Sequence, residues 1–178
     1  MKYSFFNDYS EGAHQNVLDL LNKTNLQQET GYSEDSLSLA AANLIKQKTN
    51  NPHTDVHFIS GGTQANLVVL DSLLKQYESV IAVETAHICV HEAGAIEATG
   101  HKINTVHSSN GKIKPEQIQA VCDAHTDEHM VKPKVVFISQ STEVGTTYSL
   151  EELKAISDIC KQKSLYFLVV IFGGLLIF

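Results

Sequence analysis

From residue 51 onward, short apolar runs alternate with stretches whose apolar positions recur every three or four residues. Asp55-Val56-His57-Phe58-Ile59 reads as a strand, and residues 63–77 as a helix with Leu67, Val68, Leu70, Leu73 and Leu74 on one side. A second apolar run covers 79–83. Residues 86–99 carry a helical pattern, with Gly100 placed as a cap beyond its end. Residues 102–106 read as a strand, followed by an Asn110-Gly111 turn. Pro115 suits the first position of a helix running toward Asp127. Val135, Val136, Phe137 and Ile138 in succession predict a strand over 134–139 that is covered on both faces. Ser149-Leu150-Glu151-Glu152 is a capping box that opens a helix to Lys163, and 165–171 is one more apolar strand. Ahead of residue 50, helices are predicted over 14–22 and 34–48.

Strand–helix alternation of this kind predicts an α/β fold with a largely parallel sheet and right-handed crossovers. There is no internal repeat, low-complexity tract or linker, so the chain reads as one domain or part of one. Three stretches are expected: a helical segment over 1–50, an α/β body over 51–171, and an apolar tail over 172–178. A strand as apolar as 165–171 calls for a polar turn and another helix after it. Instead Phe172-Gly173-Gly174-Leu175-Leu176-Ile177-Phe178 follows, with no charge after Lys163, and the chain reads as cut short.

Composition narrows the function classes. The chain has 178 residues, 20 acidic and 13 basic side chains, and a formal net charge of −7. Every basic residue is lysine. An acidic chain without arginine is a poor nucleic-acid binder and has no guanidinium with which to clamp a carboxylate or phosphate. Cys89, Cys122 and Cys160 are far apart and odd in number, which predicts reduced thiols rather than a disulfide framework or zinc knuckle. No signal-peptide pattern opens the chain, and the 14 apolar residues from Leu165 to Phe178 fall short of the roughly 20 of a membrane helix. A cytoplasmic protein without membrane partners is expected.

The sharpest chemical signal is Ser60-Gly61-Gly62-Thr63-Gln64-Ala65-Asn66, which follows a predicted strand and opens a helix. Glycines there let a ligand approach the backbone, and the free amides of a helix start favour an anion. The spacing is neither a P-loop nor a dinucleotide fingerprint. A phosphate cradle is one reading and a tight strand-to-helix turn the other. His87 and His91, four residues apart, supply half of a metal site at most, and spacing nominates no third ligand. No metal is expected. His87 at a helix start can instead stack against a flat ring. The other seven histidines read as solvated or structural.

These segments, in their order, resemble the threonine aldolase and β-eliminating lyase family of pyridoxal-phosphate (PLP) enzymes of fold type I. The resemblance rests on residues 7–14 (Asn-Asp-Tyr-Ser-Glu-Gly-Ala-His), Tyr32-Ser33-Glu34-Asp35 and Gly61 to Asn66. It continues through Ala86-His87-Ile88, Glu92-Ala93-Gly94-Ala95, Thr99-Gly100-His101-Lys102, Lys132-Pro133-Lys134 and residues 141–146. It implies a three-layer α/β/α large domain with a mostly parallel sheet, incomplete here and without the small C-terminal domain. It also implies PLP as cofactor and cleavage of a β-hydroxy-α-amino acid, such as threonine or allo-threonine, to glycine and an aldehyde. PLP serves such chemistry as the electron sink. A homodimer or homotetramer is implied for the intact enzyme.

Residue by residue, the resemblance gives Gly62 and Thr63 the cofactor phosphate and His87 the pyridine ring. Asn7 falls near the substrate carboxylate, while Tyr32 and Asp35 match a segment that lines the site, often from the partner subunit. His129 and Glu92 are carried over as catalytic candidates and Thr142 as a cofactor contact. The family's strand end Asp-Gly-Ala-Arg is replaced by Val169-Val170-Ile171-Phe172-Gly173-Gly174. The family's Schiff-base lysine falls beyond residue 178. This chain is therefore expected to be inactive alone, the product of a frameshift or premature stop after about residue 167. The competing expectations are a catalytically dead remnant that acts by binding, a β-eliminating lyase on another amino acid, and an unrelated nucleotide-binding α/β domain.

Overall fold

The computed structural model describes residue 4, residues 10–171 and residues 174–177. It divides into two compact units, Met1–Phe58 and Ile59–Phe178.

The first unit holds helices α1 (Gln15–Thr24) and α2 (Ser36–Lys48). Each begins at a side chain that accepts from a free first-turn amide. His14 Nδ1 accepts from the Asn16 amide at 3.1 Å, and an Asp35 carboxylate oxygen accepts from the Ser38 amide at 2.7 Å. Neither helix buries a residue, and Leu21 and Leu44 are exposed.

The second unit is built on a five-stranded sheet ordered β2-β1-β3-β4-β5. Its strands are β1 (Glu78–Val83), β2 (Lys102–Val106), β3 (Lys132–Gln140), β4 (Tyr166–Ile171) and β5 (Gly174–Ile177). The first four run parallel, with Ile81 beside Val136 and Val136 beside Phe167. Successive strand residues point to opposite faces, so burial of all six residues of β1 means that both faces of the sheet are covered. The cover comes from helices α3 (Gly62–Leu73), α4 (His87–Val90), α5 (Ala95–Ala98), α6 (Pro115–Ala124) and α7 (Leu150–Lys163). Among these, α5 packs at β2, α6 at β3 and α7 at β4. Phe137, Ile81, Leu70, Ile118, Ile156 and Leu168 are among the large, fully buried apolar side chains of the core.

Three expectations are corrected. Residues 55–59 have no ladder partner among the described residues and form no strand; Phe58 and Ile59 stay exposed. Helical pattern over 86–99 becomes two single turns, because Ala93 (φ 50°) and Gly94 (φ 76°) are left-handed and stop the helix between them. The tail does not simply trail from β4: Gly174–Ile177 pairs antiparallel with it, Gly174 beside Ile171 and Ile177 beside Leu168. Residues 172, 173 and 178 of that tail lie outside the described residues. Pro115 at the start of α6 and the capping box at Ser149 stand where the pattern put them.

Candidate active site

In a parallel sheet, ligands gather beyond the carboxyl ends of the strands, where loops lead into helices. Here β1 leads through Ala86 into α4, and β3 leads into the loop 141–147. The residues that enter α3 belong to the same neighbourhood.

Helix α3 opens at Gly62 after an extended Gly61, and no side chain caps it. Ser60 Oγ instead donates to Gln64 Oε1 at 2.6 Å. A Cβ added at Gly61 or Gly62 would meet nothing within 4 Å, so no other residue crowds the side-chain positions of this turn. Thr63 is exposed beside them. Uncapped amides, a hydroxyl and the positive end of a three-turn helix favour an anion.

His87 is the first residue of α4, with its side chain 38% exposed and its Nδ1 2.8 Å from Glu92 Oε1. Glu92 is sealed from water, and the same Oε1 accepts a 2.5 Å hydrogen bond from Asn66 Nδ2. Asn66 stands one turn inside α3, so the pair ties the open helix start to the half-exposed imidazole. Glu92 Oε2 and Asn66 Oδ1 have no hydrogen-bond partner. His91 lies on the same short turn, its ring centroid 5.5 Å from that of His87, and faces Glu143 Oε2 at 3.7 Å.

Thr142 is buried in the loop after β3. Its Oγ1 meets Thr146 Oγ1 at 2.8 Å and accepts from the Thr146 amide at 3.1 Å. Gly111 presses on this loop with a left-handed φ of 73°, and a Cβ there would come within 2.7 Å of Val144 Cγ2. Ala86, Gly111, Ser139 and Thr142 line a cavity of about 10 Å³, roughly the room one water needs.

The structure thus brings Gly62, Thr63, His87, Glu92 and Thr142 to one end of the sheet. It does not bring His129 there. That residue is exposed just before β3, whose start pairs with the start of β1, whereas His87 follows the end of β1. The two histidines stand at opposite ends of the sheet. His129 belongs to an exposed cluster with Asp127 and Glu128. Tyr32 and Asp35 lie in the first unit, where Tyr32 is fully exposed with a left-handed φ of 61°. Asp35 is spent on capping α2, and its hydrogen bonds with Ser38 hold its carboxyl below the ordinary value. Asn7 lies outside the described residues. Asn66 is the residue that motif reading missed: it ends the glycine motif, but its contact with Glu92 spans 26 residues and has no local signature.

Cys89 and Cys160 sit too deep for easy ionisation: burial pushes their thiols up to about 11 and about 12.

The beta-eliminating lyase family model matches residues 15–169. The chain belongs to the beta-eliminating lyase family. A low specificity L-threonine aldolase from Pseudomonas sp. (strain NCIMB 10558) is 39% identical over 163 residues, 90% of this chain and 47% of that protein. The structure of a threonine aldolase from Leishmania major superposes with a TM-score of 0.92 at 48% identity, over 94% of this chain and 49% of that one. A PLP-bound C–S lyase from Staphylococcus hominis, 13% identical with a TM-score of 0.56 over 86% of this chain and 39% of that one, shares the fold alone. The fold is that of the fold type I PLP enzymes. This member of the beta-eliminating lyase family spans about half the length of the curated relatives it matches. No helix among its described residues is long and apolar enough to cross a membrane.

The residues fit PLP in part. The open start of α3 suits the phosphate, and the half-exposed imidazole of His87 suits the ring face. The end of β4 does not suit the pyridine nitrogen, since Val170 and Ile171 offer no carboxylate. Lys112, on the loop after β2, is held by Glu152 at 2.6 Å and donates to the Thr147 carbonyl oxygen, so its amine is not free for a carbonyl. No catalytic step through the cofactor is assigned to these residues.

Proposed function

We propose that this chain forms the phosphate-binding and ring-facing part of a PLP-dependent lyase site of the L-threonine aldolase type. The whole protein acts on a β-hydroxy-α-amino acid, threonine or allo-threonine, and yields glycine and an aldehyde. In that reading Gly62 and Thr63 hold the phosphate, His87 covers the ring, and Thr142 borders the cofactor. Glu92 supports His87 from behind. Asn7, Tyr32 and Asp35 serve the substrate side. His129, being at the far end of its own sheet, acts in the site of a neighbouring copy within a homodimer or homotetramer. The exposed leucines of α1 and α2 accord with such an assembly, and the three free cysteines accord with a cytoplasmic setting.

The observation that supports this reading is the Asn66–Glu92–His87 chain of hydrogen bonds, which ties the uncapped start of α3 to the half-exposed imidazole of His87. When bound, PLP supplies the electron sink for the substrate's α-carbon. Val170 and Ile171 at the end of β4 offer no acid and Lys112 is engaged by Glu152, so in this reading the described residues supply the binding parts of the site and the turnover needs groups beyond them.

Incubation with L-threonine and PLP, followed by assay of glycine and acetaldehyde, tests this. No product above the protein-free control is expected. His87→Ala is expected to weaken binding of pyridoxine 5'-phosphate by roughly two- to tenfold, the worth of one ring contact. Steady release of acetaldehyde by the chain alone, or unchanged binding by His87→Ala, would contradict the proposal.

A further inference from the structure

A histidine that faces a ligand from a half-exposed position has two tautomers and can turn its ring. Which form is present depends on what its inner nitrogen touches. In this chain the inner nitrogen is Nδ1, and it touches a carboxylate whose side chain is fully buried. That carboxylate cannot swing away, because the Asn66 amide, itself buried, fixes the same oxygen. Nε2 of His87 makes no hydrogen bond among the described residues, and the His87 side chain is 38% exposed.

We infer that Glu92, fixed by Asn66, is a positioning residue that holds His87 as its Nδ1–H tautomer in one ring orientation. Nε2 is left as an unprotonated acceptor toward the ligand side. An ionised carboxylate can only accept, so the proton between the two groups belongs to Nδ1. Asn66 sits in the first turns of α3, and the same residue therefore fixes the spacing between the helix start and the imidazole. This arrangement rests on the reading of the site as a PLP half-site only for the identity of the ligand. The tautomer follows from the chain's own residues.

The groups around His87 bear on the outcome. Glu92 is the acid in contact with it, His91 is the ring beside it, and Glu143 faces His91 at 3.7 Å. None of these offers Nδ1 a second acceptor closer than Glu92.

The test is long-range proton–nitrogen correlation NMR on the full chain with ¹⁵N-labelled histidine, the His87 signals being assigned by their loss in His87→Asn. At mildly alkaline pH the wild type is expected to show Nδ1 protonated and Nε2 bare, the reverse of the form that free histidine prefers. Glu92→Leu, which leaves Nδ1 no acceptor, with folding verified by circular dichroism, is expected to lose that preference and to bind pyridoxine 5'-phosphate roughly tenfold more weakly, as loss of one charge-assisted hydrogen bond implies. Thr63→Ala, at the phosphate end, is expected to weaken binding while leaving the His87 tautomer as it is. A wild-type His87 protonated on Nε2 would overturn the inference whether or not the cofactor analogue binds. Should Glu92→Leu fail to fold, the wild-type spectrum alone decides. An Nδ1–H tautomer without any binding of the analogue would sustain the positioning role and sink the PLP reading instead.

Discussion

A buried carboxylate is costly unless its oxygens are satisfied, and Glu92 offsets only part of that cost, through one oxygen that serves both Asn66 and His87 while the other has no partner. Such a group is retained where it does something that an apolar residue of similar size cannot. The glycine motif and His87 were legible because helix starts and their spacing are local features. The Asn66–Glu92 contact was not, because two residues 26 apart in sequence meet only once the fold exists. Gly111 is a second position where local geometry is decisive. Its left-handed φ and its closeness to Val144 and Thr142 leave no room for a methyl group. Gly111→Ala is expected to cost at least about 1 kcal/mol in urea unfolding and to disturb the 141–147 loop. The buried thiols are expected to react slowly with iodoacetamide at neutral pH, since so little of Cys89 or Cys160 is thiolate there.

Elements with a strong end signal came out as the pattern implied, whereas two segments read from periodicity alone, 55–59 and 86–99, did not. In α7, Ser149 Oγ accepts from the Glu152 amide at 3.2 Å while Glu152 Oε2 accepts from the Ser149 amide at 2.7 Å. Ser149→Ala should lose about 1 kcal/mol of stability. Glu152 also accepts from Lys112 through both of its carboxylate oxygens, at 2.6 and 2.8 Å, and these, followed by the Ser149 amide, hold its carboxyl below the ordinary 4.5. A carboxyl lowered on folding stabilises the protein above its unfolded value, and that contribution is lost as pH falls through the folded one. Melting temperatures of the wild type should therefore drop below about pH 4.5 more steeply than those of Glu152→Gln. Parallel melting curves for the two would contradict the assignment. Residues 55–59 show the opposite case: alternating apolar residues fit a strand, but a strand also needs a neighbour, and sequence pattern does not supply one. Likewise, the apolar spacing over 86–99 is helical, and the turn of Ala93 and Gly94 that carries Glu92 inward is visible only in the backbone angles.

At the scale of the molecule, the parallel order β2-β1-β3-β4 is the arrangement that strand–helix alternation dictates, and its centre is apolar on both faces. Phe137, fully buried on β3, is expected to cost about 3–5 kcal/mol on change to alanine. The antiparallel β5 was not foreseen, since an apolar tail after an apolar strand gives no turn signal beyond its glycines. The carboxyl end of this sheet holds an uncapped helix start and a half-exposed histidine, the two parts that the proposed PLP site would use, while Val170 and Ile171 at the end of β4 offer no acid. That division leads to one direct measurement: calorimetric titration of the chain with pyridoxine 5'-phosphate and, separately, with pyridoxine. Neither has the aldehyde that would label surface lysines, so heat reports the pocket rather than imine formation. The account predicts saturable binding of the phosphate ester, competed by inorganic phosphate, and far weaker binding of pyridoxine. Equal binding of the two compounds, or binding of neither, would contradict the claim that the start of α3 and His87 form a cofactor half-site.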